Sequence, residues 1–192
     1  MTENDPQVLL AAVAKALNEL RLPYLVTGGM SVTLWGRPRF TADIDVVLGA
    51  EPNDLHALAQ VLRQMGNQIY FDEDAMREAY TSEGEFNVVD GKSGMKVDFW
   101  IVRRADPFSA SQLARRVGKR IAGETVYFSS PEDLILSKLL WHRRVPSDRQ
   151  LDDVKSVIAV SGAGLDHAYL REWAHKLGVE DLLERALAEA KR

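Results

Sequence analysis

Asp43 and Asp45 stand one residue apart in the run DIDVVLG, whose alternation of charged and branched residues predicts a strand. In a strand, residues two apart share a face, so both carboxylates project together while Ile44, Val46 and Leu48 project the other way. Two like charges this close push one pKa up unless a cation intervenes. A hard divalent ion is the natural cation, because two carboxylates plus substrate phosphate is how Mg²⁺ is commonly held. The pair therefore points to metal-assisted phosphoryl or nucleotidyl transfer. A third acid, Asp98, lies in the β-rich run KVDFW between Val97 and Phe99, where packing gives no reason for a charge. If its strand neighbours that of Asp43, three carboxylates meet at one point, and the third helps position an activating ion and accepts a proton from the acceptor. Paired with a core arginine, it is structural instead.

Other residues could serve the same chemistry. Gly28-Gly29 closes the β-rich run PYLVTGG and opens a short helix, so backbone N–H groups and the positive helix end can receive a phosphate. Thirteen residues separate Gly29 from Asp43, room for that helix and a turn. Without the acids, the glycines read as a tight turn. Ser31 either meets phosphate or caps the helix. Arg37 and Arg39 either neutralise phosphates or balance the two aspartates. Lys138 shares a helical stripe with Leu134 and Trp141: either its stem packs while its ammonium reaches water, or the ammonium reaches a triphosphate. Asp153, four residues after Arg149, either makes an ordinary ion pair with it or orients it. Residues 115–120, RRVGKR, form a solvated face or a basic lip for RNA. His56, His142, His167 and His175 lie in helical segments without metal-ligand spacing and read as surface or boundary residues.

The elements that must position these groups follow from periodicity. Asp5-Pro6 is a cap signal, and Leu9, Val13, Leu17 and Leu20 recur at helical spacing, which predicts a helix from about residue 6 to 21. Strand, Gly-Gly turn, short helix and acidic strand come next. EPNDLHALAQVLRQMG is an amphipathic helix. GEFNVVDGKSGMKVDFWIV reads as a hairpin, and KRIAGETVYF as a smaller one around Gly123. After Phe128 the pattern is helical, opening on the cap Ser130-Pro131, with helices near 131–144, 148–160, 166–177 and 180–191. The expected fold class is α+β, a mixed β-sheet packed with helices over residues 1–129, followed by a helical C-terminal part over 130–192.

Composition narrows the functional classes. The 192 residues are 46% hydrophobic, enough for one substantial core, and contain no cysteine. Disulfides, thiolate metal sites and thiol nucleophiles are thereby excluded. The net charge of -4 argues against a general nucleic-acid coat protein. No apolar run approaches the roughly 18 residues of a membrane span, and the start MTENDPQ lacks the basic-then-apolar order of a signal peptide. A cytoplasmic protein with no membrane partner is expected.

The run from Thr27 to Val46, TGGMS with DIDV after thirteen residues, and the later VDF resemble the signature of the DNA polymerase beta type nucleotidyltransferase superfamily. GRPRFTADIDVV is most similar to its minimal bacterial members, which include the abortive-infection type toxin enzymes. SPEDLILSKLLWHRR and RQLDDVKSVI look like downstream segments of that group, where a helical lysine and a later aspartate accompany the site. The resemblance implies a mixed sheet with packed helices, dependence on Mg²⁺ (or Mn²⁺ in its place), and transfer of a nucleoside monophosphate from an NTP. It places Gly28, Gly29 and Ser31 on the triphosphate and Asp43, Asp45 and Asp98 on the metals, and its helical lysine falls at Lys138; Lys138 and, from its charge beside the acidic strand, Arg39 are the further expected nucleotide contacts. The acceptor would be tRNA, a protein hydroxyl or a small molecule, and a cognate antitoxin is an implied partner. The rival expectation is a catalytically silent protein of the same fold that works through an interface, and a nuclease using the same acids is a third. The transferase reading predicts that Gly29→Val, which puts a side chain where backbone N–H groups approach phosphate, abolishes NTP binding in a folded protein. Unchanged affinity by calorimetry overturns that role.

Overall fold

The computed structural model describes residues 6–190, so the cap expected at Asp5 lies outside the described residues. The fold is α+β: seven strands form one mixed sheet, accompanied among the described residues by nine α-helices. The chain divides into two compact units, one running to Thr27 and again from Thr41 to Phe128, the other comprising Gly28–Phe40 and the chain from Ser129 onward.

The first unit holds the whole sheet, in the order β3-β4-β5-β2-β1-β7-β6. Its strands are β1 (Tyr24–Val26), β2 (Asp43–Gly49), β3 (Ile69–Tyr70), β4 (Glu85–Asp90), β5 (Met95–Val102), β6 (Val117–Ile121) and β7 (Glu124–Phe128). The two hairpins read from the sequence are β4–β5 and β6–β7, both antiparallel. In the first, the Asp90 carboxylate accepts hydrogen bonds from the backbone N–H groups of Lys92 and Ser93 and from Ser93 Oγ, which fixes the turn. At the centre, β2 runs parallel to β5 and antiparallel to β1.

Strand alternation gives this sheet one apolar and one polar face. Ile44, Val46 and Leu48 of β2, Val97, Phe99 and Ile101 of β5, and Phe86 and Val88 of β4 are all buried. Phe86 stacks on Phe99 at 4.9 Å, nearly parallel. Helices α1 (Pro6–Glu19), α3 (Pro52–Gln64), α4 (Glu73–Ser82) and α5 (Pro107–Arg115) complete the unit. α4 packs on β4 and β5, and α1 on β6 and β7.

The second unit is built around α6 (Pro131–Arg144), which packs against α2 (Gly28–Trp35), α7 (Asp148–Ser161), α8 (His167–Leu177) and α9 (Glu180–Glu189). Its N-terminus is fixed as the sequence predicts: Ser130 Oγ accepts from the Asp133 N–H. The buried Asp133 also receives hydrogen bonds from Ser130 Oγ and, at 2.6 Å, from the Tyr169 hydroxyl. α2 is tied to this unit by Trp35 Nε1, which donates to the Ser129 carbonyl, and by Ser161 Oγ, which donates to the Trp35 carbonyl. Gly36 lets the end of α2 approach α7, since a Cβ there would lie 3.2 Å from the Val157 backbone nitrogen and closer still to Ser156 Oγ. No helix among the described residues is long and apolar enough to cross a membrane.

Phe99 occupies the centre of the apolar face directly behind the acidic rung. Phe99→Ala should lower unfolding stability by about 3–5 kcal/mol through lost burial and the cavity left beside Phe86; chemical denaturation measures it, and a loss below about 1 kcal/mol contradicts this packing.

Candidate active site

The register of β2 and β5 decides where the acids meet. Asp45 stands directly opposite Asp98, and Asp43 opposite Lys96. Asn87 of β4 is opposite Asp98 on its other side, and the Thr27 N–H donates to the Asp45 carbonyl at 2.8 Å. One rung of the sheet therefore reads Thr27, Asp45, Asp98, Asn87, and its side chains share the polar face. Asp43 is exposed, Asp45 half-buried and Asp98 buried.

The expectation that the strand of Asp98 neighbours that of Asp43 holds. The three acids do not, however, gather at one point: among the described residues, no three His, Asp or Glu side chains are close enough to hold a metal ion by themselves. Asp98 instead has a cation beside it. Lys96 Nζ lies 2.9 Å from Asp98 Oδ2, so the partner of Asp98 is a lysine two residues away and not a core arginine. This ion pair, with the charges of Asp98, Asp43 and Glu85, holds the Lys96 ammonium above the ordinary lysine range despite burial. Glu85, two residues from Asn87 on β4, faces the same way; partial desolvation, then the negative charge of Asp98 and Asp45, pushes its carboxyl up against the pull of Lys96.

Asp98 Oδ1 is buried and has no hydrogen-bond partner. A buried carboxylate oxygen left without a donor is costly, and it is a hard donor of the type that Mg²⁺ prefers. Asp43 and Asp45 supply further oxygens on the same face. The donor set is all oxygen, which fits Mg²⁺ or Mn²⁺ with substrate phosphate oxygens and water completing the shell.

The remaining candidate residues belong to the second unit. The chain turns into α2 at Gly28, whose φ of 59° is left-handed and favours glycine. Gly29 and Ser31 are buried in the first turns of α2, and Thr33 Oγ1 donates to the Gly29 carbonyl. Arg39 grips Asp153 with both Nε and Nη2 at 2.8 Å. Lys138 Nζ lies 2.7 Å from Asp153 Oδ2 and donates to Gln150 Oε1 at 3.0 Å. Two expectations are corrected here. Asp153 pairs with Arg39 and Lys138, not Arg149, because α7 turns its buried face with Asp153 inward. Lys138 does not send its ammonium to water; at 5% exposure the whole side chain is buried. Arg37 is exposed and offers its backbone N–H to Ser156 Oγ. In the first unit, Arg116 of the 115–120 run lies over the Tyr127 ring and Arg120 reaches Thr125 Oγ1. The four histidines lie at the surface or its boundary.

Lys96 was legible: the spacing rule that joins Asp43 to Asp45 also joins Lys96 to Asp98. Gln150 and the grip of Arg39 on Asp153 had no signal, since 114 positions separate the latter two.

The parallel neighbour β5 thus brings Asp98 level with Asp45 of the Asp-Ile-Asp pair. The family described as "Nucleotidyl transferase AbiEii toxin, Type IV TA system" matches residues 9–151. The chain belongs to this AbiEii nucleotidyltransferase toxin family. Solved structures of similar fold include a crystal structure of ANT(2″)-Ia in complex with adenylyl-2″-tobramycin, 18% identical, with 97% of this chain and 98% of that one covered and a TM-score of 0.58. The solution structure of the antibiotic-resistance factor ANT(2″)-Ia is 17% identical over 93% and 96% of the two chains, at a TM-score of 0.58. An antigenic nucleotidyltransferase-like protein from Paracoccidioides brasiliensis is 17% identical over 98% and 94%, at 0.59. At such identities the likeness is one of fold. No curated protein matches the chain.

Asp153 also carries a pH prediction. Burial raises its carboxyl, but hydrogen bonds from Arg39 and Lys138 outweigh it and leave the pKa below the ordinary 3.8. The stability this group contributes is therefore complete above 3.8 and is lost as pH falls through the lower folded value. Asp153→Asn should cost on the order of 3–5 kcal/mol at neutral pH, by leaving Lys138 buried beside an uncharged partner. Denaturation curves should show the gap to wild type shrinking in acid, and a pH-independent gap removes the electrostatic explanation.

Proposed function

We propose that this protein is an active, Mg²⁺-dependent nucleotidyltransferase that moves a nucleoside monophosphate from an NTP to a hydroxyl acceptor, as the toxin of a toxin–antitoxin pair. The observation that carries this reading is the Asp45–Asp98 rung with a buried, unsatisfied carboxylate oxygen on Asp98. Asp43, Asp45 and Asp98 would hold the divalent ions, which supply Lewis-acid stabilisation of charge developing on phosphate. Gly28, Gly29 and Ser31 would bind the triphosphate through the N-terminal turn of α2. Arg39 and Lys138, kept in place by Asp153, would meet its negative charge. The acceptor oxygen attacks the α-phosphorus, the bond to the β-phosphate breaks, and pyrophosphate leaves; Asp98 takes the acceptor's proton.

A second reading, a catalytically silent partner-binding protein, is favoured by one observation: Lys96 already pairs Asp98, and Asp153 already pairs both Arg39 and Lys138. One experiment separates the readings. The protein is incubated with α-³²P-labelled NTPs, Mg²⁺, total RNA, cell protein and an aminoglycoside, and the fraction that takes up label identifies the acceptor class as tRNA, protein or small molecule. Transfer should fall by at least about 10³-fold in Asp98→Asn and vanish in the Asp43→Asn, Asp45→Asn double variant. Label in no fraction, from any NTP, supports the silent reading.

A further inference from the structure

The acid cluster contains a cation of its own. Lys96 lies on β5 opposite Asp43 and, two residues from Asp98 on the same face, brings Nζ to 2.9 Å from Asp98 Oδ2. We infer that Lys96 is a built-in counter-ion for the metal site, a positioning residue that holds Asp98 while no divalent ion is bound and is displaced from it when one binds. This rests on the reading of Asp43, Asp45 and Asp98 as metal ligands.

Three features support exchange over a permanent pair. The Lys96 side chain is 40% exposed and ends a flexible stem, whereas the short Asp98 side chain is 10% exposed. The lysine therefore swings into solvent at little cost while the aspartate stays. The ammonium also satisfies only one oxygen, since Asp98 Oδ1 has no hydrogen-bond partner, so half of the carboxylate is left for another ligand. Finally, the Lys96 ammonium feels the negative charge of Asp98, Asp43 and Glu85 together, a concentration of negative charge that a divalent ion answers better than an ammonium. The pair keeps like charges tolerable in the resting protein and sets a threshold that the metal must overcome.

The test uses the full chain without nucleotide. Mn²⁺ binding is measured by electron paramagnetic resonance for wild type, Lys96→Met and Asp98→Asn, with folding checked by circular dichroism. Lys96→Met, which keeps the stem and removes the charge, should bind Mn²⁺ about tenfold more tightly than wild type, and Asp98→Asn more weakly. In parallel, acetylation of Lys96 in wild type, read by peptide mass spectrometry, should rise several-fold on adding Mg²⁺ as the ammonium leaves Asp98. Equal Mn²⁺ affinity in wild type and Asp98→Asn overturns the metal-site reading itself. Weaker binding in Asp98→Asn, with no gain in Lys96→Met and no change in Lys96 acetylation, leaves that reading standing and removes the role of Lys96. Should Lys96→Met fail to fold, the wild-type acetylation result decides alone.

Discussion

Two carboxylates on one rung of a sheet, Asp45 opposite Asp98, are the constraint around which the first unit is arranged. Facing like charges destabilise a strand pair, and here they sit at the centre of the sheet, where neither strand can slip to relieve them. A one-residue slip would carry Ile44, Val46, Val97 and Phe99 from the buried face to the polar one. The apolar face thus locks the register, and the register sets Asp45 opposite Asp98. Repulsion is then contained by local devices: exposure of Asp43, partial exposure of Asp45, and the Lys96 ammonium on Asp98. A fold that accepts this cost without a compensating ligand would be hard to explain on stability alone.

The second unit has the opposite charge problem and a similar answer. Arg39 and Lys138 both converge on Asp153, a buried carboxylate with a bidentate guanidinium on one side and an ammonium on the other. The bidentate fork fixes the Arg39 side chain in direction as well as position. Lys138 is restrained further by Gln150. Removing Asp153 would leave two neighbouring cations, one fully buried, so its presence is a condition for having both. Lys96 and Asp98 in the first unit, and Arg39, Lys138 and Asp153 in the second, are each held beside an opposite charge.

Most of the sheet and the C-terminal helices were legible because their signals are local. The alternation in DIDVVLG, the two hairpin turns and the Ser130 cap each act within a few residues, and each appears where the pattern put it. α4 and α5 leave only a weak signature in the sequence, for a physical reason. α4 buries only Met76 and Ala79, and α5 buries Ser109 and Gln112 alongside Phe108 and Leu113, so neither presents a clean apolar stripe. The capped starts at Asp72 and at Asp106-Pro107 were the available clues. The acids themselves were legible from strand spacing, but their immediate partners were not all so. Lys96 obeys that same spacing and was overlooked, while the partners of Asp153 are set by packing between helices far apart in the chain. Local rules locate charged residues; tertiary structure decides what neutralises them.

What each cluster can still bind follows from its charge balance. Around Asp98, the carboxylates of Asp43 and Glu85 act on the Lys96 ammonium along with that of Asp98, and the complementary ligand for such a carboxylate-rich face is a cation of high charge density. Around Asp153, the Arg39 guanidinium and the Lys138 ammonium converge on one carboxylate. The counter-charges are also unequal in mobility: Lys96 is half in solvent, whereas Asp153 is locked in the core of its unit.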